Sequence, residues 1–151
     1  MIFLTFADIK GQTYQSAREA IISAVAELYQ NHAYLLLGEV LSEDEKEYFR
    51  LFSHYAANPS ADKLIEDASV ARALKQLSFY LSRYYGKKVL LFLDEYDTPL
   101  HEAYVNGYWE ELAGFIRSMF NSASEKYCTQ FGFTEEEVFH VLETFEMQSE
   151  K

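Results

Sequence analysis

The sequence predicts a helix-rich α/β domain, with a small parallel sheet of strands at about residues 2–6 and 88–93 and six to seven helices around it. Three observations carry this reading. Val89–Leu93 is an unbroken apolar run, the pattern of a strand buried on both faces. Ile2–Phe6 is a second short apolar and aromatic run, followed by the polar turn Asp8-Ile9-Lys10-Gly11. Between the two, apolar residues recur at spacings of three and four. A strand, a helical crossover and a second strand imply a parallel, right-handed pair.

The elements follow in order. From Thr13, the residues Ala17, Ile21, Ala24, Val25 and Leu28 share one helical face as far as Asn31. Ala33–Leu37 fits a helix extension or a buried loop equally. Ser42 with Glu45 makes a capping box, and the helix it opens carries Tyr48, Leu51, Phe52 and Tyr55. Asn58-Pro59-Ser60 ends that helix, because proline cannot continue the ladder. A short helix is expected over Asp62–Asp67. Ser69 is the expected cap of the next one, with Ala71, Leu74, Leu77, Ser78, Leu81 and Tyr85 facing inward. Gly86 suits the left-handed residue that ends a helix.

After the central strand, Pro99 is well placed at the first position of a helix, and Asn106-Gly107 breaks the chain. Tyr108–Ser124 then presents Leu112, Phe115, Ile116, Met119, Phe120 and Ala123 inward. Thr134 and Glu137 form another capping box, opening a last helix with Val138, Val141, Leu142 and Phe145 on one face. Residues 1–147 are read as one domain and residues 148–151 as a frayed polar tail.

Composition narrows the function classes. The 151 residues are 49% apolar and 17% aromatic, which implies a substantial core. A net charge of −11 disfavours direct binding to nucleic acid or to an anionic membrane. No run of about 18 apolar residues predicts a membrane span, and the first residues lack the basic start and cleavage site of a signal peptide. The one cysteine, Cys128, has no internal partner, which fits a reducing cytoplasm.

The candidate chemistry sits where the central strand ends, at Asp94, Glu95 and Asp97. Open α/β sheets place their ligand crevice at that end. A buried apolar strand ending in Asp-Glu has the form of a Walker B element. Asp94 would then hold Mg²⁺, usually through a water, and Glu95 would polarise the attacking water as general base. Asp97 adds a third carboxylate toward the bound cofactor. The competing reading is a strand end whose acids meet solvent, and the motif alone is short enough to allow it.

Other constellations are weaker. His32, His54, His101 and His140 show no i, i+4 pair and no cysteine partner, so a zinc site is disfavoured. His101 and Glu102 line the same crevice or form a solvated helix turn. Cys128 has no histidine partner in its segment. The acidic runs at Glu43–Glu47 and Glu135–Glu137 read as solvated helix starts. Tyr104, Tyr108 and Trp109 fit half-buried helix aromatics better than a base-stacking platform.

The segments Tyr84-Tyr85-Gly86-Lys87-Lys88, Asp94-Glu95-Tyr96-Asp97-Thr98-Pro99 and Tyr104-Val105-Asn106-Gly107-Tyr108 resemble the AAA-ATPase-like family of bacterial and archaeal proteins. IFLTFADIKGQTYQSA is similar to that family's second core strand and following helix, and FGFTEEEV to an element after its ATPase core. The resemblance implies a P-loop NTPase-like (ASCE/AAA-like) fold, Mg²⁺ and ATP as cofactors, ATP hydrolysis and, in longer members, a following nuclease-like domain.

Two departures matter. None of the six glycines lies in a Gly-Lys-Ser/Thr motif, so the phosphate-binding Walker A loop is missing from these residues. Only about ten residues separate the Tyr108–Ser124 helix from FGFTEEEV, where the family has further core strands. The chain therefore reads as a truncated, internally shortened member, with little or no ATPase activity alone. Two strands leave unpaired edges, which predict a homo-oligomer or a protein partner covering them. Three functions stay open: a weak or inactive ATPase-family domain, an interaction or assembly module, and an acidic metal site without nucleotide.

Overall fold

A computed structural model describes residues 2–58, 65–95 and 97–124. Its elements are β1 (Ile2–Thr5), α1 (Tyr14–Asn31), a 3-10 turn (Ala33–Leu37), α2 (Glu43–Ala57), α3 (Asp67–Tyr85), β2 (Leu91–Asp94), α4 (Asp97–Asn106) and α5 (Trp109–Ser124). The two strands pair in parallel, from Ile2 opposite Leu91 to Thr5 opposite Asp94. The fold is thus helix-rich α/β with a two-stranded parallel sheet. Among the described residues there are five α-helices, not six or seven. The helix expected from Thr134 lies outside them.

Two helix starts are closed by reciprocal caps, the one at Ser42 as expected and the one at Thr13 not read from the sequence. Thr13 accepts a hydrogen bond from Ser16 N–H (3.2 Å), and Ser16 Oγ accepts one from Thr13 N–H (3.2 Å). Ser42 and Glu45 make the same reciprocal pair at 3.2 and 3.0 Å. Glu45 then reaches across to α3, where both its carboxylate oxygens accept from Arg83 at 2.8 and 2.9 Å. This fork ties the first turn of α2 to the last turn of α3, and Arg83 also donates to Val40 O.

The core lies between helices. Tyr29 of α1 is fully buried, with ring centroids 4.8 Å from both Phe49 and Phe52 of α2. Its hydroxyl donates to Ala73 O of α3 at 2.6 Å, so the one polar atom this ring carries inside is satisfied. α1 packs on α2, and α3 packs on α5. Phe49, which the sequence reading did not place on the core face, is as buried as Phe52.

Several expectations are corrected. Glu66, not Ser69, occupies the cap position of α3, and Ile65 and Glu66 are not helical. The reason is Arg18 of α1, which is itself buried. It donates to Asp67 Oδ1 (2.7 Å) and to Ile65 O (2.5 Å), holding that segment so that α3 begins at Asp67. Residues 62–64 of the expected short helix are outside the described range. Tyr85 is exposed rather than inward, sharing a 2.8 Å hydrogen bond with the hydroxyl of Tyr34. Ala71 is only partly buried, while Val70, Ala73 and Tyr80 complete the inner face.

The largest correction concerns β2. It spans Leu91–Asp94 rather than 88–93, because its partner β1 offers only four residues to pair with. Nor is it buried on both faces. Ile2, Leu4, Leu91 and Leu93 turn to the core, whereas Phe3 is 53% and Phe92 47% exposed. The helices cover one side of the sheet, so the apolar run is split by the ordinary period of two.

Turns at the ends of helices use glycine where backbone geometry demands it. Gly86 closes α3 at φ +61° and Gly107 separates α4 from α5 at φ +82°. Gly11 is needed for space: a Cβ there would lie 2.7 Å from Ser16 Oγ and 2.8 Å from Ala17 N at the start of α1.

Candidate functional site

The site grows out of the carboxyl end of β2. Phe6 N–H donates to Asp94 O at 2.9 Å, continuing the β1–β2 ladder one step past the last strand pair. Thr5, directly opposite in the register, donates from Oγ1 to Asp94 Oδ2 at 3.2 Å. Asp94 is therefore held at an exposed strand end by a hydroxyl from the neighbouring strand.

The next residue turns the chain. Glu95 has φ +51° and is the non-glycine residue in the left-handed region among those described. For an L-residue this costs about 1–2 kcal/mol. The turn lets α4 begin two residues later at Asp97. Glu95 also caps that helix: its carbonyl accepts from Thr98 N–H (3.1 Å) and its Oε2 from Thr98 Oγ1 (3.3 Å). Observed strain at such a junction is a pointer toward function.

Asp97 is the first residue of α4. Its Oδ2 lies 4.0 Å from His101 Nε2 one turn along α4, with both side chains well exposed. Among the described residues, no three histidine, cysteine, aspartate or glutamate side chains come together to hold a metal. So Asp94 and Glu95 stand at one strand end, and Asp97 does not complete a three-carboxylate ligand set with them. An open cavity of about 300 Å³ lies between α1, α3 and α5, lined by Tyr14, Asp67, Phe115 and Glu111, and shares no residue with the strand-end acids. Burial, then the Asp67 carboxylate, raises the Tyr14 hydroxyl above its usual range.

Two residues escaped the sequence reading. Thr5 reaches Asp94 only through the strand register, which no local pattern specifies. Arg18 sits beside Ala17 on an otherwise apolar face, and a cation in that position was the available signal.

A family model described as predicted AAA-ATPase matches residues 2–134. The chain belongs to that family. The match takes in both strands, the Asp94–Asp97 cluster and all the described helices of this AAA-ATPase-like chain. No curated protein and no solved structure matches it. Among its described residues, no helix is long and apolar enough to cross a membrane.

Proposed function

We propose that this AAA-ATPase-like chain carries the acidic half of a Mg²⁺–nucleotide site, with Asp94 toward the metal and Glu95 toward the attacking water. The observation that carries the reading is the Thr5–Asp94 hydrogen bond beside a left-handed Glu95, at an exposed strand end. A single carboxylate in an open position suits Mg²⁺, which keeps several waters and takes its remaining ligands from phosphate oxygens. Bound there, Mg²⁺ would supply charge neutralisation for the phosphates.

The chain's own residues do the rest. Thr5 donates to one oxygen of the exposed Asp94 carboxylate, restraining it at the strand end. Glu95 stands one residue on, as the base that orients a water. Asp97 belongs to the rim of the site. No Gly-Lys-Ser/Thr sequence occurs in these 151 residues to cradle the phosphates, so hydrolysis by this chain alone is little or none.

Thermal unfolding with and without Mg²⁺-ATP, on the chain and on Asp94→Asn, tests this reading. Ligand at a hundred times its dissociation constant adds about 2.7 kcal/mol, a shift of about 5–10 °C for a domain of this size. A shift in the unsubstituted chain alone is the expected result. No shift in either protein would remove nucleotide from the account. Saturable hydrolysis lost in Glu95→Gln would instead show that the chain is active without a phosphate loop.

A second reading is an assembly module. It is favoured by a sheet of only two strands, each with one edge unpaired among the described residues. It predicts a molar mass that rises with concentration and ignores nucleotide.

A further inference from the structure

The open cavity between α1, α3 and α5 lies apart from the strand-end acids and has a chemistry of its own. At about 300 Å³ it reaches the size of a small-molecule site. Tyr14 and Phe115 give it an aromatic wall, their ring centroids 6.5 Å apart and their planes at 84°. Gly114 lines it from the middle of α5, where glycine is destabilising relative to alanine. Nothing in the backbone or the packing calls for glycine there. Its φ is not positive, and a Cβ added to it would meet no atom within 4 Å. What the missing side chain leaves is room.

The polar groups around that room are mainly acceptors. Arg18 binds Asp67 through Oδ1 alone, which leaves Oδ2 as an open acceptor among the described residues. Glu111 is exposed in the first turn of α5. Ser118 donates its hydroxyl proton to Gly114 O at 3.1 Å, so its oxygen is left to accept. The Arg18 guanidinium does not cancel the two acids. It is also spent on Ile65 O, and at the Tyr14 hydroxyl the Asp67 carboxylate outweighs it, with Glu111 adding to the same sign.

We propose that this cavity binds a small organic cation, an alkyl ammonium group, with its chain against Tyr14 and Phe115 and its charge toward Asp67 and Glu111. Aromatic faces attract such cations, and the carboxylates and Ser118 Oγ accept its N–H groups. A bare metal ion fits less well. No three histidine, cysteine, aspartate or glutamate side chains come together among the described residues, and the aromatic wall offers a metal nothing. The chain's net charge of −11 draws cations toward it from solution. A free amine and the lysine side chain of a peptide carry the same group.

Titration calorimetry on the full chain, at fixed ionic strength, tests this with three probes. They are cadaverine, the neutral diol of the same length, and lysine amide acetylated at its α-nitrogen. Saturable binding of cadaverine, with none of the diol, is the expected result. Equal binding of the lysine derivative would extend the site to protein side chains, and its failure to bind would confine the site to free amines. Gly114→Leu, which fills the space, should abolish binding at unchanged far-ultraviolet circular dichroism. Glu111→Gln should weaken it about two- to fivefold. No saturable binding, equal binding of the diol, or unchanged affinity in both variants overturns the proposal. The cavity shares no residue with Asp94 and Glu95, so these readouts do not depend on whether the strand end holds a nucleotide.

Discussion

The aromatic cluster between α1 and α2 and the two-stranded sheet are made of similar residues in opposite conditions. Around Tyr29 the rings of Phe49 and Phe52 are enclosed, the buried hydroxyl has its acceptor, and α1 and α2 are capped by reciprocal side-chain bonds. In the sheet, among the described residues, each strand has one partner and one covered face. The helical half satisfies itself. The sheet half has its polar chemistry in place, at Thr5 and Asp94. Stability is thus carried chiefly by the helical half, and the function proposed above by the sheet half.

That contrast is broken most directly by paired truncations. Phe52→Ala, in the enclosed cluster, is expected to cost about 3–5 kcal/mol in urea unfolding, through lost burial and the cavity left behind. Phe92→Ala, on the half-exposed face, is expected to cost about 1 kcal/mol or less. Equal losses would mean that the two regions are equally covered. Arg18→Ala comes next, at about 2 kcal/mol, because it strands the Ile65 carbonyl and releases the segment that starts α3.

A smaller effect concerns pH. Hydrogen bonds from Arg83, opposed by burial and aided by the Ser42 backbone, hold the Glu45 carboxyl down at about 2, below its usual 4.5. A depressed folded-state value adds stability that is fully present above pH 4.5 and is lost as pH falls toward 2. For a pair in contact with solvent this is about 1 kcal/mol. Glu45→Gln should flatten the acid limb of a stability–pH curve between those values. An unchanged limb would show that the fork contributes nothing.

The helical half was legible because its signals are local. Ser42 announces its helix within three residues, and the apolar spacing from Ala17 to Leu28 needs no partner to be read. The failures share one cause, dependence on a distant segment. Ser69 looks like a cap until Arg18 pins Asp67. Val89–Leu93 looks doubly buried until helices cover only one face of the sheet. Asp94 and Glu95 were visible as residue types at a strand end. Their arrangement was not, since it rests on a strand register and on a single backbone angle at Glu95. Asp97 was grouped with them by proximity in sequence; it opens α4, with its Oδ2 4.0 Å from His101 Nε2.

The Thr5–Asp94 bond joins residues 89 positions apart, whereas the helix caps close over three. Closing so long a loop has an entropic cost that grows with its length, so local helices form before it is repaid. The acidic site is therefore assembled late in folding, on a helical frame already standing. The same order in reverse makes the strand end the place expected to open ahead of the helical frame, which faster amide hydrogen exchange at Phe6 than in α1 would show.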